Sequence, residues 1–333
     1  MNWHGLNLKM QIWRNSMAKE CISFVIPCYC SQYSIRTVVE EIISEVDNTD
    51  EFDYEIILVN DGSSDDTMEV LEQLHQENNK IVAIDLMRNF GQAAAQMAGF
   101  NMVQGDYVFS LDDDGQMPIE SVIPMLMKLK EGYDVVFGRY EAVKQSGIRN
   151  CGSKINAKMA EVLLEKPRDL YISSFWVARR AVINEITKYK GPYPYIGGLV
   201  LRVTRNMTCM TVKQRERQVG KSNYTFKKLL SLWLNGFTAF SVVPLRMASV
   251  MGMICAFVGL FYGAVIIIRK IFNPTILIGY SSIIVTVLFI GGVLMILVGM
   301  LGEYMGRMYL CINQAPQFVI RGVFDQRANV EEI

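Results

Sequence analysis

The chain has 333 residues, and its 33 Lys and Arg balance 33 Asp and Glu to a formal charge of zero. No strong basic field is present, so nucleic acid is excluded as the expected partner. Hydrophobic residues make up 51% of the sequence, and the excess gathers after Pro244. Seven cysteines occur without a CxxC pair, and there are two His, which argues against a structural zinc site and for a reducing compartment. The first 20 residues lack an apolar run long enough for a signal peptide and are expected to form a tail.

From Ile22 to about Gly138, short apolar runs alternate with amphipathic stretches. ISFVIP, YEIILVN, KIVAIDL, DYVFSL and YDVVFG read as strands. SIRTVVEEIISEV, DDTMEVLEQLHQE, GQAAAQMAGFNMV and IESVIPMLMKLKEG read as the helices between them. Repeated β-α units with Val/Ile-rich strands predict an α/β domain with a mainly parallel, doubly wound sheet. Such sheets bind ligands at the carboxyl ends of their strands. The residues found there are Pro27-Cys28-Tyr29, Asp61-Gly62-Ser63, Arg88-Asn89 and Asp112-Asp113-Asp114. From Cys151 to Thr211 the pattern is less regular, with a strand expected at ISSFWVA and an aromatic segment, GPYPYIGGL, suited to lining an acceptor pocket.

Two uncharged segments follow, Met247–Ile268 and Thr275–Leu301, of 22 and 27 residues. Each is long enough to span a bilayer, and the short link RKIFNP between them predicts a hairpin. The preceding YTFKKLLSLWLNGFTAFSVVP reads either as an interfacial amphipathic helix or as an ordinary domain helix. The predicted organisation is a tail (1–20), a catalytic domain (21–223), a juxtamembrane helix (224–244), two spans within 245–302 and a cytoplasmic tail (303–333). Lys227, Lys228, Arg246, Arg307 and Arg321 on one side, against Arg269 and Lys270 in the link, favour a cytoplasmic catalytic domain.

Asp112 and Asp114 lie two residues apart, so in an extended backbone their side chains share a face. Two convergent carboxylates suit Mg²⁺ or Mn²⁺ bound with substrate phosphates, and Gln116 is placed to add either a ligand or a hydrogen bond. The competing reading is a solvated turn before a helix, with Pro118 near its first position. Asp61 can accept from a ribose hydroxyl or a base N–H, while the following Ser and Asp are ordinary helix caps. Arg88 precedes a helix N-terminus near Gly91 that favours anions. The loop Gln214-Arg215-Glu216-Arg217-Gln218-Val219-Gly220-Lys221-Ser222 either holds phosphate oxygens or is a basic patch facing anionic lipid.

The order PCY, NDGSSDDT, RNFGQ, DDDGQMP and RQVGKSNY, followed by two spans, resembles family 2 glycosyltransferases that act on polyprenyl phosphate, relatives of dolichol-phosphate mannose synthase and the bactoprenol glucosyltransferases. The resemblance covers about Ile22 to Gln317. It implies a nucleotide-diphospho-sugar transferase (GT-A-like) fold. Pro27, Tyr29 and Asp61 would line the nucleotide pocket, with Arg88, Asp112 and Asp113 beside the donor. Asp112, Asp114 and Gln116 would be metal ligands. Arg139, Arg217, Lys221 and Ser222 would meet phosphates, with Arg217, Lys221 and Ser222 on the acceptor. Asp114, Arg217, Arg139 and Lys221 would carry catalysis by a single inverting displacement.

The implied donor is a nucleotide sugar, by default UDP-glucose. The implied acceptor is undecaprenyl phosphate or a similar lipid at the bacterial inner membrane. A homo-oligomer and a flippase are candidate partners. The chain departs from the family pattern at Cys30, Gln32, Ala93, Gly197 and Gln214. The alternatives are a transferase with another lipid or glycan acceptor, or a non-catalytic membrane scaffold.

Overall fold

The computed structural model describes residues 19–140, 170–213, 215, 280–313 and 315–327, with scattered positions between 250 and 272. The chain divides into two compact units. The first contains all eight described strands, and it includes Pro316–Ile333.

In that unit β1 (Glu20–Cys28), β2 (Phe52–Asn60), β3 (Ile81–Leu86), β4 (Tyr107–Ser110), β5 (Val135–Tyr140), β6 (Trp176–Arg179), β7 (Met207–Val212) and β8 (Ile320–Phe324) form one sheet in the order β7-β5-β6-β4-β1-β2-β3-β8. β4, β1, β2 and β3 are mutually parallel, as the β-α repeat predicts. β6 runs antiparallel between β4 and β5, and β8 runs antiparallel along β3.

Helices α1 (Ile35–Asp47), α2 (Thr67–Glu77), α3 (Gln92–Phe100) and α4 (Val122–Lys130, after a 3₁₀ turn at Ile119–Ser121) connect the strands. In α1 the buried residues are Ile35, Val38, Val39, Ile42 and Val46, the three-four spacing of one apolar helix face. Phe24, Val25 and Ile26 are all fully buried although adjacent residues of a strand point to opposite faces, because both faces of the sheet are covered. α3 covers one of them so closely that a side chain at Gly99 would meet Val25 Cγ1 at 2.4 Å.

GPYPYIGGL contributes a helix, α6 (Ile196–Val203), which follows α5 (Arg180–Ile186). Ile196, Leu199 and Val200 of α6 are buried.

The second unit contains α7 (Tyr280–Ile312), whose stretch Phe289–Ile312 is long and apolar enough to cross a membrane by length and composition. The sequence reading ends this span at Leu301 and leaves 303–333 as a tail. The helix instead continues through Glu303 and Arg307, and β8 follows it. Among the described residues one helix of membrane length is present, so the expected two-helix hairpin is not established. The predicted span 247–268 lies partly outside the described residues, and the predicted juxtamembrane helix 224–244 wholly so.

Candidate functional site

Adjacent parallel strands deliver adjacent loops. β1 lies between β2 and β4, so the turn after β1 sits between the loops of Asp61 and Asp113. The chain order changes direction at this point, where open α/β sheets place their ligands. Pro27 is buried in β1, opposite Val59 of β2. The Tyr29 amide donates to Asp113 at 3.0 Å on one side, and the Cys30 amide donates to Ser63 Oγ at 3.0 Å on the other. Cys30 adopts φ +54°, in the left-handed region that strains a non-glycine residue. Tyr29 leaves its side chain half exposed.

Asp61 is 3% exposed, and both carboxylate oxygens accept from the next loop, from Phe90 N at 2.7 Å and Gly91 N at 2.9 Å. The two amides that lead into α3 therefore already face the chain's own carboxylate. Burial raises the Asp61 pKa, with these amides and Arg88 opposing the shift. Gly62 has φ +61°, and a Cβ there would stand 2.5 Å from the Arg88 carbonyl carbon. Only glycine lets the two loops lie this close. Arg88 is exposed and stacks over Phe90, with its guanidinium carbon 4.2 Å from the ring centre.

The three aspartates do different things. Asp112 accepts from Gln92 Nε2 at 2.6 Å and Ser174 Oγ at 2.7 Å. Asp113 supports the Tyr29 peptide. Asp114 accepts from the Gln116 amide at 3.1 Å within its own turn, where Gly115 takes φ +70°. Desolvation, followed by the charges of Asp114 and Asp113, pushes the Asp112 carboxyl up to about 6 despite the Ser174 hydrogen bond. Burial also raises Asp113, against the Tyr29 amide bond. Tyr140, at the end of β5, is pushed far up by burial and then by Asp112 and Asp114.

Among the described residues the donors to Asp112, Gln92 and Ser174, are neutral, and Asp113 and Asp114 repel it. Hard oxygens with excess negative charge fit a divalent cation. Among the described residues no group of three or more His, Cys, Asp or Glu has a metal-holding arrangement. The groups of this turn that would hold a cation are Asp112, Asp114 and the Gln116 carboxamide, with ligand oxygens completing the set.

A raised folded-state pKa means that the group's favourable contribution is complete below the unfolded value of about 4 and is lost as pH rises through about 6. Asp112→Asn is therefore expected to stabilise the metal-free protein at pH 7 by about 1 kcal/mol, with no gain at pH 4. Thermal unfolding at both pH values with EDTA present checks this. A stabilisation that is the same at pH 4 and pH 7 would contradict it.

Arg139 is exposed on β5, opposite Thr211 of β7. Arg215, grouped in sequence with the phosphate-binding candidates, is engaged elsewhere. Its guanidinium bridges Glu41 of α1 and Glu120, and its amide donates to the Gln116 carbonyl at 3.1 Å. Arg217, Lys221 and Ser222 lie outside the described residues. Sequence reasoning missed Ser174 and Tyr140. Ser174 is 62 residues from Asp112, and no local pattern marks such a contact. Gln92 was noticed only as part of the loop after β3.

Residues 23–187 match the family described as glycosyl transferase family 2. Among curated relatives, the uncharacterized glycosyltransferase YkcC of Bacillus subtilis (strain 168) is 32% identical, covering 90% of this chain and 93% of its own length. The undecaprenyl-phosphate 4-deoxy-4-formamido-L-arabinose transferase of Proteus mirabilis (strain HI4320) is 33% identical over 93% of this chain and 97% of its own. Among solved structures, glucosyl-3-phosphoglycerate synthase from Mycobacterium tuberculosis, determined with Mn²⁺ and UDP-glucose, superposes with a TM-score of 0.51 at 17% identity. It covers 69% of this chain and 80% of its own, a similarity of fold.

Proposed function

The chain belongs to glycosyl transferase family 2 and is a glycosyltransferase, and from that premise we propose that it moves a sugar from a nucleoside diphosphate to a polyprenyl phosphate at the membrane. The observation that carries this reading is the turn Asp112–Gln116, with three consecutive carboxylates, tied through Asp113 to the Tyr29 loop at the carboxyl end of the sheet. The full-length relatives named for undecaprenyl phosphate and a helix of membrane length support the lipid acceptor. The catalytic unit would lie on the cytoplasmic face of a bacterial inner membrane.

The Tyr29 ring offers a stacking face for the base. Asp61 holds the β2 and β3 loops together, which fixes the floor beneath the nucleotide. Asp112, Asp114 and Gln116 would hold Mg²⁺ or Mn²⁺, which when bound neutralises the charge of a departing diphosphate. A phosphate monoester is largely ionised near pH 7, its second pKa being about 6, so the acceptor needs no strong general base. Arg139, Arg217, Lys221 and Ser222 would orient it for in-line attack at the anomeric carbon, with inversion.

UDP-glucose is the default donor. A donor carrying 4-deoxy-4-formamido-L-arabinose is the second reading, favoured by the relatives named for that sugar. Membranes containing the protein, given undecaprenyl phosphate and a panel of nucleotide sugars, should yield one glycosyl lipid by mass spectrometry. No lipid product with any donor would overturn the acceptor assignment. Arg217→Ala should raise the acceptor KM or lower kcat while donor binding survives. Loss of donor binding alone would place that arginine on the other substrate.

A further inference from the structure

The strand that follows the membrane-length helix reaches the donor half of the site. β8 pairs with β3 through Asp85 opposite Gly322 and Leu86 opposite Ile320, which skips Arg321. One extra residue in an edge strand is a bulge, and bulges re-aim side chains. Here the guanidinium lies over the end of β3, donating to Asp85 Oδ2 at 3.0 Å and to the Met87 carbonyl at 2.9 Å. The Asp85 side chain is 9% exposed. Its other oxygen accepts from Asn60 Nδ2 at 2.7 Å, and Asn60 Oδ1 accepts from the Ser63 amide at 3.1 Å. Ser63 Oγ then accepts from the Cys30 amide.

The chain of contacts has a direction. A carboxylate only accepts, so Asp85 fixes the amide of the buried Asn60 with nitrogen inward and oxygen toward Ser63. That oxygen shapes the Asp61–Ser63 turn, and Ser63 in turn holds the strained Cys30 peptide. A strand that only covered the β3 edge would need backbone pairing and no charge directed at a nearly buried aspartate.

We propose that Arg321 is a positioning residue for the nucleotide pocket, acting through Asp85, Asn60 and Ser63, so that affinity for the nucleoside diphosphate part of the donor depends on the docked C-terminal strand. This rests on the reading of the Asp61 turn as the nucleotide floor. The coupling itself is a property of the hydrogen bonds and can be measured without that reading.

The test uses the full-length protein in detergent or nanodiscs, with wild type, Arg321→Met, Arg321→Lys and Arg327→Met compared. UDP, GDP, CDP and ADP are titrated calorimetrically with Mn²⁺, and amide exchange is followed across residues 60–64. For Arg321→Met we expect faster exchange in that turn, a nucleotide Kd and donor KM raised about tenfold, and kcat changed less than about twofold. Arg321→Lys should recover most of the loss. Arg327→Met should lower thermal stability without moving nucleotide Kd. Unchanged exchange at 60–64 in Arg321→Met overturns the positioning role. Altered exchange with unchanged nucleotide affinity overturns its link to the donor. If the wild type binds none of the four nucleotides, the pocket assignment falls, and the exchange data alone decide whether Arg321 positions the turn.

Discussion

Asp114→Ala is expected to cut sugar transfer by at least about 10²-fold, equivalent to about 2.7 kcal/mol of transition-state stabilisation. The residue has two separable jobs. One, under the proposed function, would be to supply a hard oxygen to the metal together with Asp112. The other is to accept the Gln116 amide and so hold the turn in which Gly115 takes a positive φ. Asp114→Asn keeps an acceptor for that amide but removes the charge. If the charge matters, both variants lose activity together, and both lose Mn²⁺-dependent nucleotide binding in calorimetry. Wild-type transfer in Asp114→Ala membranes would remove Asp114 from the metal set. Wild-type transfer in Asp114→Asn alone would reduce it to a turn cap, the bland reading that its sequence always allowed.

The second large effect concerns stability. Arg327→Met is expected to cost about 3 kcal/mol, because removing one member of a buried ion pair leaves its partner charged and unmatched. The Arg327, Glu55 and Asp325 side chains are 12%, 5% and 6% exposed. Glu55 accepts from Ser23 Oγ and from the Gln104 and Gly105 amides on one oxygen, and from Arg327 on the other. Arg327 also donates from Nε and Nη2 to Asp325. For a unit of this size the loss should appear as a fall of about 6–12 °C in unfolding midpoint. Adding Glu55→Gln to Arg327→Met should recover part of it, since the stranded charge is then gone.

The pH dependence has a definite sign. Burial works against ionisation of Asp325, but the Arg327 hydrogen bonds outweigh it and hold the carboxyl below its ordinary range. A lowered pKa gives stability that is present above the unfolded value of about 3.9 and is lost as pH falls through the folded one. The gap between wild type and Arg327→Met should therefore narrow below about pH 4. A gap that stays constant from pH 7 to pH 3 would show that Arg327 acts by packing alone.

The central strands were readable because their physics is local. IVAIDL and YEIILVN are buried on both faces, and a mostly apolar run rich in Ile and Val announces that. β8 is five residues long with Arg and Gly inside it, and β7 is mostly half-exposed. Such edge strands exist because a partner offers hydrogen bonds, which no window of sequence displays. The insertion of β6 between β4 and β5 is likewise a matter of remote pairing. α6 was hidden by Gly197 and Gly198, weak helix formers whose helix is stabilised by the burial of Leu199 and Val200.

The strand pattern placed Asp61 and Asp112–Asp114 in the loops that follow β2 and β4, where the structure has them. What sequence did not reveal was how much of their hydrogen-bonding capacity the chain itself takes up. Asp61 is engaged by Phe90 and Gly91, Asp113 by Tyr29, and Asp112 by Gln92 and Ser174. Arg215 reads like its neighbour Arg217, yet it bridges two glutamates brought together by α1 and the Glu120 turn. The resemblance to polyprenyl-phosphate enzymes, more than any residue taken alone, pointed to a lipid acceptor.

The pairing of β8 with β3 also sets a clock. Asp85 and Arg321 are 236 residues apart. At a synthesis rate of about 5–20 residues per second, β3 waits roughly 10–50 s for its outer partner. Throughout that interval the nascent sheet has an open edge at Ile81–Leu86, and α7 must be made before the edge can close. The order of translation thus makes the membrane-length helix first and the β3–β8 edge last, so the Asp85–Arg321 contact is among the last parts of the sheet to form.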